Sequence, residues 1–125
     1  MGLRSDLDGL RVRMPGTDTV YLIDQGKKRG IPNPQVYNAL FRTWDNIHLD
    51  IDIDAITTGK VIDVNAILYK ILSDPSVFLY EYGTRRLIKS PAVMDRYQFD
   101  SNRIYVFPSI VFPDGPEITK TGRPD

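Results

Sequence analysis

The sequence predicts a mainly β fold, a β-rich α+β architecture made of two related units, each holding hairpin strands and one short helix. Three observations carry this. The segment Val20–Val36, VYLIDQGKKRGIPNPQV, returns without a gap 57 residues later as Val77–Val93, VFLYEYGTRRLIKSPAV. Several short stretches alternate apolar and polar residues with the period of a half-buried strand. In both copies a proline pair or a Ser-Pro step then stops the sheet and opens a helix. Units this small bury little by themselves. They are expected to pack about a pseudo-twofold axis within one domain, 1–125, with repeats over about 6–62 and 63–119.

Within the 17-position window seven residues are identical: Val20/Val77, Leu22/Leu79, Gly26/Gly83, Arg29/Arg86, Ile31/Ile88, Pro34/Pro91 and Val36/Val93. Met1–Ser5 reads as a frayed start, and Leu10–Met14 as a first strand with its arginines outward. Val20–Asp24 and Lys27–Ile31 form a hairpin whose tight turn, Gln25-Gly26, needs a positive φ at the glycine. Asn33 is a good helix N-cap and Pro34 suits the first helical position, so Gln35–Phe41 is a two-turn helix packing Val36, Tyr37 and Leu40 inward. Ile47–Ile56 alternates again and is expected as a strand with one acidic face.

The second copy repeats this order. Ile67–Leu72 is a strand, Val77–Tyr82 and Thr84–Ile88 a hairpin, Ser90-Pro91 to about Tyr97 a helix, and Arg103–Phe107 the last long strand. Pro108, Pro113 and Pro116 make the final segment irregular or an edge, and Gly122–Asp125 reads as a loose tail.

Composition narrows the function classes. The 16 basic and 16 acidic residues balance, so electrostatics give no case for a nucleic-acid partner. The absence of cysteine excludes disulfides, thiol catalysis and thiolate zinc sites, and leaves the compartment open. No signal peptide is visible, and no apolar run approaches the roughly 18 residues of a membrane span. One histidine, with no Gly-x-Ser-x-Gly elbow, phosphate loop or dinucleotide fingerprint, argues against an enzyme. Neither a cofactor nor a metal is called for.

The hairpin pattern (aromatic-Leu-Ile, Gly, Lys/Arg-Arg, x, Ile, then Pro and a short helix ending before Trp or Phe) resembles a repeat of uncharacterised bacterial exported and envelope proteins. Val20–Ile47 and Val77–Ile104 carry the resemblance. It implies a non-catalytic recognition module for glycans or an envelope surface, secreted or displayed at the cell surface. It transfers no site residues.

Candidate sites come from the residues themselves. Arg29 and Arg86 have two readings: pairing with Asp24 or Glu81 across the hairpin, or offering a guanidinium to a ligand hydroxyl or carboxylate. Alternation puts Phe78, Tyr80 and Tyr82 on one face, which suits a glycan platform and equally an oligomer interface or a seam between repeats. Trp44, beside Asp45 and Asn46, is a ligand corner or a core plug. His48, Asp50, Asp52 and Asp54 share a face of the expected strand. Same-side positions lie roughly 6.5–7 Å apart, too far for one metal without loop ligands, so a solvated face is expected.

The sequence therefore leads to a lectin-like, carbohydrate-binding or cell-surface module with duplicated sites, and Arg29, Arg86, Tyr80, Tyr82 and Trp44 as ligand residues. A structural, toxin or envelope-complex subunit working through protein–protein assembly, including a homo-oligomer, is the alternative.

Overall fold

The computed structural model describes residues 2–50 and 52–122. It is β-rich, with two four-stranded sheets and two short helices. In the first unit, β1 (Arg11–Arg13), β2 (Tyr21–Asp24), β3 (Lys27–Gly30), helix α1 (Pro34–Leu40) and β4 (His48–Leu49) come in order. The second unit has β5 (Ile67–Ile71), β6 (Val77–Glu81), β7 (Thr84–Ile88), α2 (Pro91–Tyr97) and β8 (Tyr105–Phe107). Spatial order is β3-β2-β1-β4 in one sheet and β7-β6-β5-β8 in the other, the same topology twice. Register repeats as well: Leu22 faces Arg29 and Leu79 faces Arg86, while β4 and β8 each run parallel to the first strand of their unit.

Local chemistry explains the repeated elements. In both hairpins two residues of positive φ make the turn, Gln25 (54°) with Gly26 (76°), and Tyr82 (51°) with Gly83 (77°). That is the backbone of a type I′ turn, whose twist matches the flanking strands. Asn33 caps α1, its side-chain oxygen accepting from the Val36 amide at 2.9 Å, with Pro34 in the first turn. Ser90 starts α2 in the same extended conformation, before Pro91, without a side-chain cap bond. Val36, Tyr37 and Leu40 are buried, as are Val93 and Tyr97.

One apolar core crosses both units. It includes Leu22, Leu40, Phe41 and Ile62 from the first and Leu68, Leu79, Val93 and Phe99 from the second. A smaller cluster of Leu10, Val12, Ile23, Ile53 and Ile56 lies apart from it. The outer edge of each hairpin is covered by the return of its own chain. Lys28 bridges Thr58 and Arg85 bridges Asp114, and the Ile62 and Ile118 amides donate to Gly30 and Leu87.

Four expectations are corrected. The start is tied down, because Gly2 bridges Ile56 and Ser5–Leu7 forms a 3-10 turn. Arg11 is buried rather than outward, donating to the Tyr37 hydroxyl and the Thr43 carbonyl. The strand expected over 47–56 is only His48–Leu49. Asp50 then accepts the Asp52 amide at 2.8 Å, and Ile53–Ala55 turns as a 3-10 helix. Aspartate side chains that capture a backbone amide two residues on compete with a strand ladder, and here the turn wins. His48, Asp50, Asp52 and Asp54 therefore share no strand face, and the described residues hold no cluster fit for a metal ion. The last strand begins late, after a 3-10 turn at Ser101–Arg103. Met1, Ile51 and the tail at 123–125 lie outside the described residues.

Candidate functional site

The two repeated arginines meet at the junction of the units. Arg29 donates to Asp24 of its own hairpin at 2.9 Å and to Glu81 of the other hairpin. Arg86 donates to both oxygens of Asp24, at 2.6 and 3.0 Å. Since Asp24 and Glu81 occupy equivalent positions, as do Arg29 and Arg86, each unit's arginine reaches the other unit's acid. Such reciprocal contact is the mark of a twofold relation. The remaining Nε–H groups donate to Lys60 and Pro116 carbonyls, again in equivalent places.

Of the two readings of Arg29 and Arg86, this geometry shows the pairing one. They are 8% and 6% exposed, and protein acceptors already engage them. Pairing is the reading that holds, with the addition that it crosses between hairpins. Burial pushes the Asp24 carboxyl up, but the hydrogen bonds and charges of Arg86 and Arg29 outweigh it and hold Asp24 below the ordinary range. Burial likewise opposes the charge on Arg29, and Glu81 and Asp24 more than restore it. A fully paired, desolvated set of this kind fixes geometry.

The aromatic stripe is also corrected. Tyr82 leaves it at the hairpin turn and packs over the linker between units. Its hydroxyl donates to the Val61 carbonyl at 2.5 Å, and the Lys60 ammonium sits 3.6 Å from its ring centre. Tyr80 is half-buried, with the Phe112 ring 4.7 Å away. Tyr69, Phe78, Tyr80 and Phe112 form an aromatic packing cluster, and the Arg85 guanidinium lies 4.4 Å over Phe78. A cleft of about 280 Å³ brings Arg29, Arg86 and Tyr82 together, while Tyr80 and Trp44 lie elsewhere.

Trp44, like Tyr82, remains accessible. Its indole stacks on Tyr37, with ring centres 3.8 Å apart and planes at 19°, and its Nε1–H donates to Asn38 at 2.8 Å. The ring is still 48% exposed. It lines a cleft of about 260 Å³ with Asp18, Thr19, Val20, Ile31, Pro32, Asn33, Pro34 and Tyr37. The segment leading into β2, the segment leaving β3 and the start of α1 form its walls.

The repeat makes this cleft twice, which sequence reasoning missed. Every residue lining it has its partner 57 positions on lining a larger cleft, of about 600 Å³, beside β6, β7 and α2. Val20, Ile31 and Pro34 are kept there as Val77, Ile88 and Pro91. The plug is not, since Tyr37 and Trp44 correspond to Met94 and Ser101. Strand ends and a helix start, set by the same turn and the same proline, create the concavity in both units. The signal lay in and just beyond the aligned window, in the substitutions between its identical residues that open the second copy.

The chain matches no protein-family model, and neither curated proteins nor solved structures yield a significant match to it. Among the described residues no helix is long and apolar enough to cross a membrane.

Proposed function

We propose that the protein is a non-catalytic recognition module of the lectin-like kind, with the Trp44 cleft as its carbohydrate site. The observation that carries this is a half-exposed indole held flat against Tyr37 in a cleft that also contains Asp18 and Asn33. A pyranose needs both parts, an aromatic plane for its apolar face and polar groups for its hydroxyls. Stacking on Tyr37 and the Asn38 bond fix the ring before a ligand arrives, which lowers the ordering cost of binding. The envelope-type resemblance of the hairpins fits a ligand at a cell surface. A glycan array probed with the native protein and with Trp44→Ala tests this. Sugar binding lost in the folded variant supports the reading, and an array silent to the native protein overturns it.

A second reading, assembly through a sheet edge, is favoured by β8. Its Tyr105 and Val106 are 56% and 52% exposed at the open edge of the second sheet, with exposed Leu72 held to Phe107 by a 2.8 Å backbone bond. Exposed apolar edges invite strand pairing. Sedimentation across concentrations separates the two readings, since a stable oligomer dissolved by Val106→Lys supports assembly and a monomer throughout removes it.

A further inference from the structure

We propose that the larger cleft is a separate binding site for a small planar aromatic carboxylate of about indole size. The first unit supplies the template. There the chain lays its own indole, Trp44, against Tyr37 at 3.8 Å. At the equivalent place in the second unit stand Met94 and Ser101, and the cleft grows from about 260 to about 600 Å³. Ring-sized space is opened while the apolar floor is kept, because Val77, Met94 and Ile104 pack against the shared core and Ile88 belongs to it. Methionine sulfur and methyl make favourable contacts with aromatic rings. An apolar recess of this kind retains affinity for a flat ring brought from outside.

Charge selects the rest of the ligand. Asp18 of the first cleft is replaced by Pro75, and Pro32 by Lys89. Arg42, from the chain after α1, also lines the larger cleft, where it pairs with Asp95 at 3.2 Å. With that pair neutral, Lys89 leaves the lining positive where the first cleft is negative. Its contact with Glu117 is exposed and 3.7 Å long, a pair of the weak surface type that a ligand carboxylate readily displaces. The two clefts thus share their lining positions and differ in size and sign, so the second takes an aromatic acid rather than a neutral or cationic ring.

Indole-3-acetate, indole and tryptamine are suitable probes, titrated into the native protein while the methyl resonances of Met94 and Ile104 are followed by NMR. Indole-3-acetate is expected to shift both resonances and to bind about fivefold more tightly than indole, with tryptamine weakest; such a ratio corresponds to one exposed ion pair. Lys89→Gln, a surface change, is expected to abolish the preference for the acid. Met94→Tyr with Ser101→Trp rebuilds the plug of the first unit and is expected to remove binding. Trp44→Ala leaves it intact, so this result stands apart from the glycan test. Resonances unmoved by millimolar indole-3-acetate would overturn the proposal. So would acid preference surviving Lys89→Gln, or binding unchanged in the folded double variant.

Discussion

Arg86 grips both carboxylate oxygens of Asp24, at 2.6 and 3.0 Å, although 62 residues separate them in the chain. Each belongs to the hairpin of a different unit, and both side chains are almost fully withdrawn from solvent. A bidentate pair is the most directional polar contact available to side chains, so it fixes how the hairpins meet as well as holding them. Arg29, reaching Asp24 and Glu81, closes the set. The apolar core beneath supplies the drive for association, and the four charges supply its register.

Removing one member should therefore be costly. Arg86→Ala leaves Asp24 with one partner in a desolvated site, and a loss of about 3–5 kcal/mol is expected in urea unfolding. A double-mutant cycle with Asp24→Asn should return a coupling of about 1–3 kcal/mol. Additive effects would show that the pair contributes no specific interaction.

The same cluster predicts an acid-sensitive fold. Asp24 has its folded pKa held below the ordinary carboxylate value by Arg86 and Arg29, against the opposing effect of burial. Its contribution is full above the unfolded pKa, about pH 4, and is lost as pH falls through the lower folded value. Asp8, pushed upward mainly by burial, works in the opposite sense. Thermal melts between pH 5 and pH 2, in buffers spanning about that range, should show a steep decline for the native protein and a flatter one for Asp24→Asn.

The paired turns offer a controlled comparison. Gly26 and Gly83 have the same positive φ, so alanine at either is strained by about 1 kcal/mol. A Cβ at Gly83 meets nothing within 4 Å, whereas at Gly26 it would lie 3.0 Å from Leu3 and 3.1 Å from the Arg4 amide nitrogen. Gly26→Ala should consequently destabilise more than Gly83→Ala. Equal losses would mean that the start of the chain yields at no cost.

Trp44 should separate binding from folding. Its ring is half exposed and its main partner is Tyr37, so Trp44→Ala is expected to cost only about 1–2 kcal/mol of stability. Sugar binding should fall below detection in the same variant and partly return in Trp44→Phe. Calorimetry against a sugar identified on the array, alongside thermal melts, measures both effects.

Much of the architecture was legible in residues that act locally. Gly26 and Gly83 announce turns, Pro34 and Pro91 announce helix starts, and the 57-residue offset announces two units with one topology. Where competition between local structures was close, pattern misled: the aspartates after His48 alternate like a strand, but Asp50 captures the Asp52 amide and Ile53–Ala55 turns as a 3-10 helix. The candidate site was legible only in part. Trp44 and Tyr82 remain accessible, while Arg29 and Arg86 pair across the units and Tyr80 packs on Phe112.

The sequence by itself determined the repeated strand–turn–strand–helix unit, because turn and cap energies depend on neighbours a few residues away. Tertiary structure alone decided the partners. Whether an arginine meets its own hairpin's acid, the other hairpin's acid or solvent depends on how two units pack, and the spacing along one chain carries no such information. The same holds for the clefts. Tyr37/Met94 and Trp44/Ser101 are ordinary substitutions in an alignment, and only the fold shows that both lie across one concavity, filling it in one unit and leaving it open in the other.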